Sequence, residues 1–303
     1  MNKSQMKKNI PASVRQRLLN RSRKERRPFG ELLQYYAMER FLYRLSVSPY
    51  KDHFILKGAL MLQVWGSTGV RSTMDIDLLG KTSNKEAIIV SQIWDILQIG
   101  IDDDGIFFDT ASITSERITE DANYEGIRIR FQGSLENAKI YMQIDIGFGD
   151  IVYPEYEEHS LPVILDMPIP RLLCYSRESA IAEKLETMIK RGNINSRIKD
   201  FYDIWLLSRQ YDFYGNRLSE AIRLTCKQRG TSLPVTLHIS KDDFIDAKQV
   251  QWTAFRKRLQ QEHVPASFQD ILSAIEKFLA PCISSIASGG SIPKKWKAPG
   301  PWV

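Results

Sequence analysis

The sequence predicts an α+β fold, in which a mixed β-sheet with flanking helices precedes a C-terminal helical bundle. Runs with a period of two, which are typical of strands, concentrate in residues 106–150, whereas helical periodicity dominates 176–279. A proline-rich segment, 154–170, links these two parts. We therefore predict two domains, 1–170 and 171–303.

The elements of the first part follow in order along the chain. We predict helices at about 11–25 and 28–46, a short strand Phe54–Leu56 leading into a helix after Gly58, a strand through STMDIDLLG, and a helix at about 84–98 capped by Ser83. After a turn at 101–105 come the β-rich runs IFFDTASITSERI, GIRIRFQGSL and KIYMQIDIGFGD, of which the last two are predicted to pair as a hairpin around Asn137.

The second part is predicted to be helical. Its helices are expected at 176–191, 197–209, 217–229, about 241–261 and 267–279. The tail from Ser284 to Val303 is rich in Gly, Ser and Pro and is expected to be irregular. Its Trp296 and Trp302 could stack on bases, but packing on the core is the favoured interpretation.

Composition narrows the class of protein. Apolar residues make up 43% and charged residues 26% of the 303 residues, as in ordinary globular proteins. The sequence has no apolar run of about 18 residues, so we expect no membrane-spanning helix. Three widely spaced cysteines and four scattered histidines indicate neither a disulfide framework nor a zinc site, so we expect a cytoplasmic protein.

Positive charge is concentrated at the N-terminus. Residues 1–27 hold ten basic side chains and one acid, Glu25, an excess larger than the net charge of +6 of the whole chain. The basic residues are Lys3, Lys7, Lys8, Arg15, Arg17, Arg21, Arg23, Lys24, Arg26 and Arg27. This segment is either a polyanion-binding surface or a solvated helix face.

The segment RSTMDIDLL carries the most informative motif. On a strand, Asp75 and Asp77 would project from one face, with Met74, Ile76 and Leu78 towards the core. Asp-x-Asp is a weak motif, and a second copy at 102 and 104 lies in a polar turn. The first pair gains weight because it lies on an apolar strand and follows Gly58 at a helix start.

A third aspartate, Asp145, stands alone in the apolar strand 140–146. If that strand lies beside the first, the three carboxylates can share a metal site. Mg²⁺ prefers oxygen ligands, and two such ions can hold the attacking and leaving oxygens of an in-line displacement.

These motifs resemble the DNA polymerase-β-like nucleotidyltransferase superfamily and, more closely, the AbiEii/AbiGii toxin group that includes the MenT-type enzymes. The similarity covers most of the chain, through VRQRLLN, YAMERFLYRL, LKGALML, RSTMDIDLLG, IDIGFGD, AEKLETMIKRG, RIKDFYDIWLL and PGPWV. The resemblance implies a nucleotidyltransferase core plus a helical domain, use of an NTP and Mg²⁺, and a cognate antitoxin protein as partner.

By residue, the resemblance implies metal ligation by Asp75, Asp77 and Asp145, with Lys184 as a fourth catalytic residue. The expected nucleotide-binding residues are Lys57, Gly58, Arg71, Thr73, Lys184, Asp200 and Asp203. Two departures stand out. Ala59 follows Gly58 where many members have Gly or Ser, and Lys199 precedes Asp200 where members often have Arg.

The helical part offers a physical reason for these assignments. Lys184 falls on the apolar side of helix 176–191, beside Ile181 and Leu185, and burying a lysine without a partner is unfavourable. A triphosphate is one partner, and a carboxylate on the next helix is the alternative. The solvent-exposed side of this helix is expected to carry Glu183, Glu186 and Lys190.

Asp200 and Asp203 also admit two interpretations. They form salt bridges with Arg191 or Arg197, or they position Lys184 or the acceptor beside the nucleotide. Arg71 holds phosphate or pairs with an aspartate, and a mixed role is favoured.

The function expected is that of a toxin in a toxin-antitoxin or phage-defence system. It would transfer a nucleoside monophosphate from an NTP to an acceptor hydroxyl, with the tRNA 3′ end as the favoured acceptor. The alternatives are transfer to a protein hydroxyl, a non-catalytic RNA-binding module, and a kinase-like phosphoryl transfer, which the missing Walker loop disfavours.

Overall fold

The structure is a computed structural model that describes residues 9–101, 103–121, 124–235 and 242–303. Lys3, Lys7, Lys8 and Asp102 therefore lie outside the described residues. The chain forms two compact units. Unit 1 comprises residues 1–65, 72–149 and 158–174, and unit 2 comprises 66–71, 150–157 and 175–303.

A mixed β-sheet with flanking helices confirms the predicted α+β class. In chain order the elements are α1 Ile10–Glu25, α2 Phe29–Ser46, β1 Phe54–Lys57, α3 Met61–Val64, β2 Ile76–Gly80, α4 Glu86–Leu97, β3 Ile106–Asp121, β4 Tyr124–Leu135, β5 Ala138–Phe148, β6 Glu157–Ser160 and β7 Arg171–Cys174. Within the described residues the sheet has seven strands, in the order β3-β4-β5-β2-β1-β7-β6. Strand β2 is antiparallel to β1 and parallel to β5, while β4 is antiparallel to both of its neighbours, β3 and β5.

The period-two pattern produces one buried and one open sheet face. In β4 the side chains of Ile127, Ile129 and Phe131 are buried, and those of β5 alternate in the same way. Leu135 of β4 and Ala138 of β5 are the pair that closes the turn between these strands, so the hairpin predicted around Asn137 is confirmed. Helix α2 contacts β5, and most of its residues are buried.

The strand expected through STMDIDLLG begins later than predicted. Asp75 lies in a bend before β2, and the Met74 side chain is 49% exposed rather than in the core. Side chains of α2, Gln34 and Tyr35, bind the backbone of this segment in place of a neighbouring strand. Ile76 and Leu78 are buried as expected.

Two smaller expectations about unit 1 are also corrected. Lys85, not Ser83, is the N-cap of α4, and the Ser83 hydroxyl instead accepts a hydrogen bond from the Lys85 N–H at 3.3 Å. Asp104, expected in a polar turn, is 4% exposed and pairs with Arg44 at 2.8 Å.

Unit 2 is mainly helical, as predicted. Its elements are α5 Arg177–Arg191, α6 Ile198–Gln210, β8 Phe213–Tyr214, α7 Gly215–Gln228, α8 Asp242–Leu259, α9 Phe268–Ser288 and β9 Lys295–Trp296. Glu186 is a correction, because it is buried and ion-paired with Arg229 at 3.0 Å instead of facing water. Helix α5 contacts both α6 and α7, so it has two buried sides.

The C-terminal helix and tail pack more closely than the sequence indicated. Helix α9 continues through Pro281 to Ser288. Trp296 is 5% exposed and donates a hydrogen bond to the Ser208 carbonyl at 2.7 Å, which fits the favoured core interpretation. Among the described residues, helix α9 is long and apolar enough to cross a membrane, by length and composition only. Its Phe268 and Ile275 are fully buried, and the core helix of a soluble protein can have the same length and apolar composition.

Candidate active site

Gly58 comes directly after β1 and leaves space for the Asp77 carboxylate. Lys57 and Asp77 are partners in the antiparallel β1–β2 ladder, so their side chains lie on the same face of the sheet. Gly58 follows with φ of +73°, a left-handed conformation that favours glycine. A Cβ at this position would lie 2.6 Å from Asp77 Cγ and would overlap the carboxylate itself. Any other residue would displace Asp77.

Asp77 and Asp145 lie beside each other on neighbouring strands. They are register partners in the parallel β2–β5 ladder, and residues paired in this way project from the same face. Both side chains are half-buried. Asp75 precedes β2 by one residue and is also half-buried. The sheet therefore brings the two strand aspartates together although they are far apart in the sequence.

Arg128 on β4 holds Asp145 in a two-pronged ion pair. Its Nε and Nη2 each donate to a different carboxylate oxygen of Asp145, both at 2.7 Å, and Gln143 donates to the same carboxylate at 3.4 Å. The hydrogen bonding between Arg128 and Asp145 raises the pKa of Arg128, and the negative charge of Asp75 contributes to the rise. Among the described residues, no three Asp, Glu, His or Cys side chains converge closely enough to hold a metal ion.

Two buried residues of α2 position the segment before β2. The Gln34 amide donates to the carbonyl oxygens of Met74 and Tyr141, at 3.1 and 3.0 Å. The Tyr35 hydroxyl accepts the Thr73 N–H at 3.2 Å, and burial raises the pKa of this tyrosine. Gln34 therefore bridges the segment before β2 and strand β5, and Asp75 lies just outside the β2–β5 ladder.

Unit 2 contains a separate buried ion network. Lys184 Nζ lies 3.1 Å from Asp200 Oδ1 and 2.9 Å from Asp203 Oδ2. Arg71 binds Asp203 through two hydrogen bonds of 2.8 and 2.9 Å, and Arg197 binds Asp200 at 2.8 Å. The carboxylate partner that was the alternative for Lys184 is therefore present in the structure.

The network keeps its members charged. Burial tends to lower the pKa of Lys184, but Asp200 and Asp203 raise it above the ordinary value. Burial tends to raise the pKa of Asp203, but Arg71 and Lys184 lower it to about 2. Burial also tends to raise the pKa of Asp200, but Lys184 and Arg197 lower it below the ordinary value. The Lys184 side chain as a whole is 17% exposed.

Comparison with known proteins identifies the family. Residues 40–274, well over half of the chain, match the profile of the nucleotidyl transferase AbiEii toxin of a type IV toxin-antitoxin system. The chain belongs to the AbiEii nucleotidyl transferase toxin family.

Two crystal structures from Helicobacter pylori are similar to this chain over most of its length. One is a proposed nucleotidyltransferase, with 13% identity, a TM-score of 0.46 and coverage of 85% of this chain and 96% of that chain. The other is JHP933, with 14% identity, a TM-score of 0.45 and coverage of 85% and 94%. A search of curated proteins gave no match.

The site residues expected for this AbiEii chain fall into two groups. Unit 1 contains Lys57, Gly58, Thr73, Asp75, Asp77 and Asp145, and unit 2 contains Arg71, Lys184, Asp200 and Asp203. Sequence reasoning missed Arg128, Gln34 and Tyr35. The alternation in β4 placed Arg128 on the polar face, but only the strand register assigns it to Asp145. Gln34 and Tyr35 carry no signal that distinguishes them from core residues of α2.

Proposed function

We propose that this AbiEii-family enzyme transfers a nucleoside monophosphate from an NTP to a hydroxyl of RNA, with the tRNA 3′ end as the acceptor. The observation that carries the proposal is the register pairing of Asp77 with Asp145, beside the glycine that leaves room for one of them. The proposed setting is the cytoplasm, in toxin-antitoxin or phage-defence function with a cognate antitoxin.

The chemistry of this donor set suits a divalent cation, although in this structure the three side chains are not close enough together to hold one. Asp75, Asp77 and Asp145 offer only carboxylate oxygens, the ligands that Mg²⁺ prefers. Asp145 would exchange its bonds to Arg128 for the cation, because that guanidinium engages both of its oxygens. Two Mg²⁺ ions bound there would lower the pKa of the attacking hydroxyl and stabilise negative charge on the leaving oxygens.

The remaining chemistry is assigned to groups of unit 1. The acceptor hydroxyl oxygen attacks the α-phosphorus, and its proton passes to Asp145. The bond between the α-phosphorus and the bridging oxygen breaks, and pyrophosphate leaves. Lys57, on the same face as Asp77, together with Gly58 and Thr73, is proposed to contact the triphosphate. Since Ala59 offers no hydroxyl, backbone N–H groups would make the contact that a serine makes in other members.

Nucleotide binding is also the proposed role of the unit 2 network. Asp200 and Asp203 hold Lys184 as a charged ammonium, which is the form that attracts phosphate. Arg71 is bonded to Asp203 through Nε and Nη2, so its proposed role combines orientation of that carboxylate with phosphate attraction.

RNA as the acceptor is supported by the basic surface of α1. Arg23, Lys24 and Arg26 are exposed near its C-terminal end. Cations on an exposed helix bind the phosphate backbone with a strong dependence on salt. We therefore expect RNA affinity to fall steeply as the salt concentration rises.

The test is incubation of the purified protein with total tRNA and each NTP labelled at the α-phosphate. We expect label in the RNA fraction and release of pyrophosphate. Asp77→Asn should reduce labelling at least 100-fold, because several kcal/mol of transition-state stabilisation depend on metal ligation. Asp75→Ala should behave in the same way. Asp52→Asn, at an exposed aspartate just before β1, is the matched control and should retain activity.

The other outcomes separate the alternatives. Label in the protein fraction would replace RNA by a protein hydroxyl as the acceptor. Transfer only from the γ-position would indicate a kinase-like reaction. RNA binding that is indifferent to Mg²⁺, without pyrophosphate release, would indicate a non-catalytic module. Full activity of Asp77→Asn would refute the assignment of the site.

A further inference from the structure

The open face of strands β3, β4 and β5 carries two strongly exposed aromatic rings. The opposite face packs into the core through residues such as Ile129 and Ile144. On the open face, Phe107 is 65% exposed and Tyr141 is 68% exposed. Neither ring packs against another aromatic ring in the described part of the chain. Exposed aromatic rings offer flat faces on which nucleic-acid bases can stack.

These rings lie on the same face as the paired aspartates. Register partners share a face, and the pairings form successive rows across the sheet. From the aspartates outwards, the rows are Glu116–Arg128–Asp145–Asp77, then Thr114–Arg130–Gln143, then Asp109–Gln132–Tyr141, and then Phe107–Ser134–Lys139. A continuous surface therefore leads from the carboxylates to both rings.

The distances suit a nucleic-acid strand. Two residues along a strand span about 7 Å, so Tyr141 stands about 13 Å from Asp145 along β5. Phe107 is one row further on. An extended single strand advances by a comparable distance for each nucleotide, so each aromatic row can receive a base.

The chemistry of the rows favours RNA over a protein. The two rings are surrounded by side chains that can bind phosphate or base edges, such as Arg130, Gln132 and Lys139, all of which are exposed. A protein-docking patch would need a contiguous apolar centre instead. Beyond the last row, Arg15 of α1 lies 3.7 Å from Glu136 in the β4–β5 turn, so the basic helix continues the surface.

We propose that this open face, which we call the aromatic platform, binds the single-stranded 3′ segment of the RNA acceptor. Bases stack on Tyr141 and Phe107, and phosphates meet Arg130, Lys139 and Arg15. The 3′ hydroxyl then points towards Asp145. This inference rests on the proposed function, and it names the surface that holds the acceptor.

The test measures binding apart from transfer. A fluorescent eight-nucleotide single-stranded RNA with a free 3′ hydroxyl is titrated with full-length protein, without NTP or metal, and its anisotropy is followed. Tyr141→Ala and Phe107→Ala should each weaken binding by about 5- to 150-fold, the loss typical of one stacked base. Tyr141→Phe keeps the ring and should bind within about twofold of the unchanged protein.

Matched variants keep this result interpretable. Trp94→Ala removes another exposed ring of unit 1, on α4, and should leave RNA binding unchanged. Asp77→Asn should retain RNA binding while it loses transfer. Thermal melts monitored by circular dichroism check that each variant is folded.

Two outcomes overturn the platform. One is unaltered RNA binding by Tyr141→Ala and Phe107→Ala, and the other is an equal loss in Trp94→Ala. The unchanged protein could still transfer label in either case, so the proposed function would stand. Conversely, ring-dependent RNA binding without any transfer would support the platform and defeat the proposed reaction.

Discussion

Replacing Gly58 by alanine tests the arrangement of glycine and carboxylate directly. The backbone of Gly58 has φ of +73°, and the left-handed conformation costs a residue with a Cβ about 1–2 kcal/mol. The added Cβ would also lie 2.6 Å from Asp77 Cγ, so the carboxylate must move. We expect a loss of about 2–4 kcal/mol in the free energy of unfolding, from backbone strain and overpacking together.

The same displacement should also reduce activity. A displacement of about 1 Å in a catalytic group can reduce the rate about 100-fold. Gly58→Ala should therefore lose at least that much nucleotidyl transfer under conditions where the variant is still folded. Urea unfolding gives the stability, and transfer of α-labelled NTP to RNA gives the rate.

Gly66 provides the matched control. It has nearly the same φ, +71°, but a Cβ there would meet no atom within 4 Å. Gly66→Ala should therefore show only the backbone cost of about 1–2 kcal/mol and keep its activity. If the two alanine variants were equally stable and equally active, overlap with Asp77 would have no consequence, and the reasoning about this site would be refuted.

Two further predictions concern buried charges. Asp203→Asn leaves Lys184 and Arg71 without a full counter-charge and should destabilise the protein by about 3–5 kcal/mol in urea unfolding, whereas Glu220→Gln, which breaks the exposed pair with Arg223, should change stability by less than about 1 kcal/mol. Because the pKa of Asp203 is lowered to about 2, its contribution to stability should be complete above pH 4 and should be lost as the pH falls towards 2. If the difference in stability between the unchanged protein and Asp203→Asn did not change over this range, the assignment would be contradicted. Burial raises the pKa of Glu39 to about 8, so ionised Glu39 should oppose folding increasingly between pH 4.5 and 8, by at most about 1.4 kcal/mol for each pH unit. Glu39→Gln should therefore be more stable than the unchanged protein at pH 9 and similar to it at pH 5, and an equal difference at both pH values would refute the shift.

The parts of the fold that were predictable are those with a strong local pattern. Strands β4 and β5 alternate polar and apolar residues over their full length, and the short link at Asn137 permits only a tight hairpin. Helices α5 and α6 likewise agree with their predicted bounds within about two residues. Local periodicity also placed Asp77 and Asp145 on strands, although it could not show that the two strands are neighbours.

The parts that were missed depend on partners distant in sequence. Glu186 was expected on a wet face, because one helix alone does not reveal that α5 packs on two sides. Arg128 has the pattern of an exposed strand residue until β5 is placed beside β4. Gln34 is one of several polar residues in α2, and its two backbone acceptors come from Met74 and Tyr141. Such residues become identifiable only when tertiary contacts are known.

The core of unit 1 therefore specifies the candidate site. Side chains on a strand alternate with a period of two, so a shift of one residue between β2 and β5 would place Asp145 opposite a buried position and break the pairing with Asp77. The same shift would turn Ile144 and Ile146, which are fully or almost fully buried, towards solvent. Burying each such side chain stabilises the fold by about 1.5–3 kcal/mol, so several apolar residues together oppose the shift strongly. The carboxylates on the open face thus obtain their alignment from the apolar residues beneath them, and the aromatic platform shares that register.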